Sequence, residues 1–256
     1  MSKELVQAQF EPRAIEYMHS DVHARSESLD AMLGWLQRDP IPLALDIATG
    51  GGHTALALSP LAKKVVASDI TMPMLRAARD WITINGAENE LFCQHDAGLI
   101  PFPDLTFDVV TCRLASHHFQ DLNAFLHECA RVLRIGGQLA IIDNVTPPDP
   151  MAARFINAYE RLRDRSHHFD LNLPEWETCF STAGLTVEHQ QQFRKSMDFG
   201  AYCDRMCVPA HSRTRLRVML LQAPAEALDA LNPREVDGRM TFELGELLIV
   251  GRRSVR

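Results

Sequence analysis

Three aspartates follow apolar runs along the first half of the chain: Asp46 in LALDIATGGG, Asp69 in VVASDI and Asp96 in LFCQHDAG. Behind the first stands a turn of three glycines, Gly50, Gly51 and Gly52, that leads into a helical pattern. Such a unit brings backbone N–H groups and a helix N-terminus against a ligand, because glycine lets the main chain approach closely. A P-loop would need lysine and Ser/Thr after its last glycine. Here His53 and Thr54 follow Gly52, and the next lysine is Lys63, so a triphosphate loop is excluded. The dinucleotide pattern is met only weakly, by Gly50, Gly52 and Ala55. A short-chain reductase would add a Y-x-x-x-K pair, yet Tyr17, Tyr159 and Tyr202 are followed four residues on by Asp21, Arg163 and Met206. A third ligand class is adenosine held through sugar and base, with an amino acid in place of phosphates. Asp69 is spaced to take ribose hydroxyls bidentately, and Asp96 to accept from the adenine amino group.

These acids need strands to carry them. Runs at 43–48, 64–69, 91–95, 107–113 and 137–144 alternate with helical patterns at 53–61, 72–85 and 121–134. That rhythm predicts βαβ units and a parallel, doubly wound α/β sheet. Residues 3–38 read as two amphipathic helices. After the break TPPDP come helices at 151–166 and 174–183, a strand at 185–193, and a helical stretch at 197–231 interrupted near Pro209 and Pro224. RMTFELGELLIVGRR reads as two strands around Gly245, a hairpin.

The chain has 256 residues and a formal charge of −7. Residues 1–145 hold 11 basic against 18 acidic groups, while 146–256 are balanced. A negative field disfavours DNA and anionic membranes as partners. Six cysteines without framework spacing suit reduced thiols. No apolar run reaches the ~18 residues that a spanning helix needs. The reading is of a soluble, cytoplasmic protein without stable membrane insertion, and a homodimer is left open.

Asp46-Ile47-Ala48-Thr49-Gly50-Gly51-Gly52 resembles the pattern D-x-G-x-G-x-G, with Ala48 replacing the first glycine. The run DAGLIPFPDLTFDVVTCRLASHHFQDLNAFLHECARVLRIGGQLAIIDN resembles the ubiquinone/menaquinone C-methyltransferase branch of the class I S-adenosylmethionine-dependent methyltransferases. The likeness spans residues 10–145 and is looser over 146–240. It implies a Rossmann-like seven-stranded, mostly parallel sheet with an antiparallel last strand. An N-terminal helical lid (1–38), a cofactor core (39–145), substrate-side helices and a strand (146–240) and a terminal strand (241–256) are expected. S-adenosyl-L-methionine is the implied donor and S-adenosyl-L-homocysteine the product. The implied cofactor residues are Asp46, Ala48, Gly50, Gly52, Asp69, Ile70, Asp96, Ala97 and Arg113. Gly50 and Gly52 pass the methionine part, Asp46 lies near its ammonium, and Ile70 and Ala97 sandwich the adenine.

Methyl transfer is an in-line displacement, and a base is needed only where the acceptor loses a proton. His117 and His118 follow the fourth strand, where that base would sit. Amino-group methyltransferases carry [DN]-P-P-[YF] at this point, whereas this chain has Thr111-Cys112-Arg113-Leu114. Tyr17 and His23 belong to the expected lid, and Arg163 and His167 to the substrate side. Cys203, Cys207 and His211 recur every four residues, but Pro209 interrupts them and no metal is expected. Arg205, Arg213, Arg215 and Arg217 read as a solvated helix face. The expected reaction is methylation of a small molecule at carbon or oxygen. A tRNA methyltransferase, an NAD(P)-dependent reductase and a non-catalytic module that only binds the adenosyl ligand are the alternatives.

Overall fold

The computed structural model describes residues 3–18, 26–36 and 40–254, the side chains of Tyr17 and Met18 excepted. Expected lid residue His23 lies outside this set. A single sheet runs through the molecule in the order β3-β2-β1-β4-β5-β8-β6. Its strands are β1 (Ala44–Ile47), β2 (Val65–Asp69), β3 (Glu90–Gln94), β4 (Phe107–Arg113), β5 (Leu133–Asn144), β6 (Leu185–Asp198) and β8 (Arg239–Arg253), with short β7 (Arg234–Val236) paired to β8. The first five are mutually parallel, and β8 runs antiparallel to β5, β6 and β7.

Parallel strands covered on both faces must be apolar on both, and β1 and β2 are buried at every residue. Side chains alternate between two cores. Leu45, Ile47, Val110, Leu139 and Ile141 pack on one face with Phe125 and Cys129 of α6 (Leu122–Val132). Ala44, Val65, Val109, Ala140 and Ile142 pack on the other, with Leu29 and Met32 of α3 (Glu27–Trp35). The remaining helices of the parallel half are α4 (His53–Leu58) and α5 (Met72–Ile84). Asp121 caps α6 by accepting from Ala124 N.

The N-terminal segment gives α1 (Lys3–Phe10) and α2 (Ala14–Met18), the latter packed on α5. Beyond β5 come α7 (Pro150–Arg163), α8 (Leu173–Thr182), α9 (Phe199–Asp204), α10 (Ala210–Leu221) and α11 (Ala225–Leu231). The breaks before α10 and α11 fall at Pro209 and Pro224, the two prolines expected to interrupt this stretch.

The hairpin around Gly245 is corrected. Residues 239–253 form one continuous strand. Gly245 is there because a Cβ would meet the Val145 carbonyl oxygen at 2.8 Å, a close approach rather than a turn. The true hairpin joins β7 to β8 through Asp237-Gly238, both at positive φ (+51° and +74°). That pairing of residues is what a two-residue turn matched to strand twist demands.

Candidate functional site

A cavity of about 460 Å³ opens at the C-terminal ends of β1, β2, β4 and β5. Ligands of open α/β sheets bind at such ends, where the strand order reverses; here β1 lies between β2 and β4. The glycine turn forms its floor. Ala48 and Gly50 hold φ of +53° and +54°, and both line the cavity. Gly52, at +85°, lies one step back, where a Cβ would meet Ala78 of α5 at 3.0 Å. Gly52→Ala is therefore expected to cost about 1–2 kcal/mol for the left-handed backbone alone, and more for the contact. Gly50→Ala, with open space around the added carbon, isolates the backbone part. Urea midpoints of the two variants give the comparison; equal losses would remove the Ala78 contact from the account.

Asp46 is buried at the end of β1, its carboxylate accepting from Thr49 Oγ1 at 2.6 Å and Thr111 Oγ1 at 2.7 Å. Burial pushes its carboxyl up to about 6, against those hydrogen bonds and nearby Arg113. Asp69 closes β2. Its Oδ2 accepts from Gly50 N at 3.1 Å, and its Oδ1 from Thr71 N and Thr71 Oγ1 at 2.9 and 3.1 Å. Asp96 accepts from Gly98 N at 2.8 Å and pairs with Lys3 of α1. Ile70, Ala97 and Arg113 complete this part of the wall. Arg113 is buried, its guanidinium drawn down to about 10 by that burial, and it donates to Ser26 Oγ at 3.3 Å.

Asp143, near the end of β5, organises the opposite side. Its Oδ1 stands 2.5 Å from His117 Nδ1, while Oδ2 accepts from His117 N and Ser116 Oγ. Burial opposes a charged ring at His117, but Asp143, with Asp170 and Asp164 behind it, outweighs that and raises the imidazole to about 9. His118 goes the other way. Burial and the charge of His117 take it down to about 4, and its Nδ1 lies 3.1 Å from the Ser166 carbonyl oxygen. Both histidines line the cavity, and Phe10 of α1 meets His118 edge-on at 5.0 Å between ring centroids.

Arg163 lines the cavity as expected. His167 does not. It is buried behind His117, ring centroids 5.4 Å apart, with Nε2 on Asn157 Oδ1 at 3.0 Å. The loop after α7 turns it inward, since a neutral imidazole with a hydrogen-bond partner suits that interior, and burial holds its pKa far down. The backbone of Tyr17 belongs to α2. Arg205 is not on a solvated face either: it lines the cavity beside Tyr202. Cys203 is buried and Cys207 exposed.

Asp143, Lys195, Arg205 and His95 were not foreseen as site residues. Asp143 carried a readable signal, an acid near the end of the fifth strand as Asp46 and Asp69 are at the ends of the first two. Lys195 is the only lysine beyond Lys64. His95 had no such mark.

A family described as "Methyltransferase domain" matches residues 45–141. The uncharacterised methyltransferase YcgJ of Bacillus subtilis (strain 168) is 35% identical over 220 residues, 86% of this chain and 87% of that protein. The crystal structure of YcgJ covers 90% of this chain and 99% of its own, at 33% identity and a TM-score of 0.85. The ubiquinone/menaquinone biosynthesis C-methyltransferase of Hahella chejuensis is 34% identical over 119 residues, 45% of this chain and 48% of that protein.

S-adenosylmethionine fits the groups the cavity presents. A buried carboxylate at Asp46 suits an ammonium, and Asp69 retains acceptor capacity beyond its three hydrogen bonds. His95 Nδ1 lies 2.9 Å from the Asp96 carbonyl oxygen, which makes Nδ1 the donor and leaves Nε2 an acceptor. That Nε2 is buried and has no hydrogen-bond partner among the described residues, and it faces the same cavity as Asp96, as an exocyclic amine would require. A glycine turn with no lysine, acids at the ends of β1 and β2, and likeness to YcgJ over most of both chains converge: the chain belongs to the class I S-adenosylmethionine-dependent methyltransferases, with S-adenosyl-L-methionine as donor and S-adenosyl-L-homocysteine as product.

Proposed function

We propose that the enzyme methylates a small-molecule acceptor at carbon or oxygen, with His117 receiving the proton that the acceptor gives up. The observation behind this is the His117–Asp143 pair on the wall of the cavity that holds the glycine turn. S-adenosylmethionine supplies an electrophilic methyl on its sulfonium. Asp46 pairs with the amino-acid end, the turn from Ala48 to Gly52 follows the methionine chain, and Asp69 takes the ribose hydroxyls. Asp96 and His95 Nε2 accept from the adenine amine between Ile70 and Ala97, and Arg113 offsets Asp46 from the β4 side. Helix α1, with Phe10 on the cavity wall, acts as the lid that keeps water out. Residues 146–240 supply the acceptor wall through Arg163, Lys195 and Arg205.

Carbon methylation has added support from the relative named as a C-methyltransferase. A tRNA substrate is disfavoured by the acidic first half of the chain. Among the described residues no helix is long and apolar enough to cross a membrane. Six unpaired cysteines suit a reducing compartment, so the cytoplasm is the proposed location.

Because Asp46 must be ionised to hold an ammonium, affinity for S-adenosylhomocysteine is expected to fall as pH drops below about 6. Calorimetry at pH 5 and 7.5 measures this, and Asp46→Asn should bind weakly with a flat profile. A wild-type affinity that does not change with pH would detach the ammonium from Asp46. The reading as a whole is tested by incubating the protein and methyl-tritiated donor with a metabolite extract and, separately, with bulk tRNA. Label in small molecules that is lost in His117→Gln supports it. Label on tRNA alone, or in neither pool, overturns it.

A further inference from the structure

Beyond the two histidines the cavity wall turns cationic. Arg113 at the end of β4, Arg163 at the end of α7, Lys195 on β6 and Arg205 just after α9 all face the same space. Asp46, which faces Arg113, lines the cavity on the cofactor side, but the other acids paired here stand behind the wall: Glu246 against Lys195, Glu160 against Arg163 and Asp143 against His117. Each of the three is at most 2% exposed. Arg163 and Arg205 flank one ring, their guanidinium carbons 3.7 and 5.8 Å from the centroid of Tyr202. Asp164 is the acid on this part of the wall, and its Oδ1 is already engaged by Ser166 N and Oγ at 2.8 and 2.6 Å. Met197, Met206 and Leu244 line the same cavity.

A low-dielectric wall with cations in front and their partners behind concentrates positive potential in the cavity. Lys195 registers it: burial, then Arg113 and Arg205, draw its ammonium down to about 7. Like charges held this close gain most from an anion placed among them, and the thioethers and leucine call for an apolar body beside it. We infer that the acceptor is an organic oxyanion, an apolar body carrying a carboxylate or phosphate, and that Lys195 and Arg205 hold its charge. This rests on the reading of the cavity as the acceptor site.

The test uses the full chain saturated with S-adenosylhomocysteine, at low ionic strength and pH 6.5. Phenylacetate, phenyl phosphate and the neutral phenylacetamide are titrated in by calorimetry. At least one anion is expected to bind ten or more times tighter than the amide, on the order of the strength of one charge-assisted pair. Arg205→Gln and Lys195→Met should each weaken that anion about tenfold and leave the amide and S-adenosylhomocysteine unaffected. Lys195→Met strands buried Glu246, so half-exposed Arg205 supplies the variant that folds regardless. An amide that binds as well as both anions, or an Arg205→Gln protein with undiminished anion affinity, overturns the charge assignment while leaving an acceptor cavity in place. Binding of S-adenosylhomocysteine with no probe bound at all overturns both.

Discussion

Replacing Asp143 by asparagine is expected to bring the titration of His117 down from about 9 to 6.5 or below, the ordinary range of imidazole. The sign follows from charge. A carboxylate 2.5 Å from Nδ1 favours the protonated ring, and once it is gone the burial that opposes it acts alone. A fall of two units or more is a change of over ~100-fold in proton affinity. Ring-proton NMR measures it without any acceptor. Catalysis then follows. At pH 7 about 1 wild-type ring in 100 is neutral and able to take a proton. The rate should climb roughly tenfold per unit and level near pH 9. Asp143→Asn should level near neutrality with a ceiling about 100-fold lower, because the base is weaker and its ring less firmly held. An Asp143→Asn profile still rising to pH 9 would mean that some other group sets the limb.

The sequence was most readable where chemistry and strand geometry coincide. Asp46 and Asp69 close apolar runs, and an acid at a strand end is where a parallel sheet presents side chains to a ligand. The α/β rhythm likewise needed only periodicity, and the pairing of β1 with β2 and β4 bears it out. The acceptor wall was less legible because it is assembled by tertiary packing. Arg163 and Lys195 are 32 residues apart and meet only once α7 and β6 are folded against β8. Sequence spacing treated Arg163 and His167 alike, four residues apart, yet α7 ends between them, and the second turns into the core. Glycine misled in the same manner. Gly245 was read as a turn because turn and close-approach glycines look alike in one sequence, while Asp237-Gly238 carried the turn unread.

Removing the carboxylate of Asp69 should abolish cofactor binding while sparing the fold. Its Oδ2 ties down Gly50 N and its Oδ1 ties down Thr71 N and Oγ1, so the residue joins the glycine turn to the start of α5. Oδ1 is filled by its two Thr71 donors, but Oδ2 keeps room for a further donor, and a hydroxyl bound to a charged acceptor is worth about 1.5–3 kcal/mol. With the tether to Gly50 N lost as well, Asp69→Ala is expected to weaken S-adenosylhomocysteine by about 100-fold. Ligand at ~100 times its dissociation constant adds about 2.7 kcal/mol. For a chain of this size that is a melting shift of roughly 5–10 °C. Thermal melts of both proteins with and without ligand should show it in the wild type and not in the variant. The apo variant should melt close to wild type, because losing three hydrogen bonds is offset by losing a carboxylate that burial already disfavours in its charged form. A collapse of the apo melt would make Asp69 a strut of the turn first and a ligand contact second. A preserved shift would place the nucleoside elsewhere in the cavity, and the roles drawn for Asp96 and His95 would fall with it.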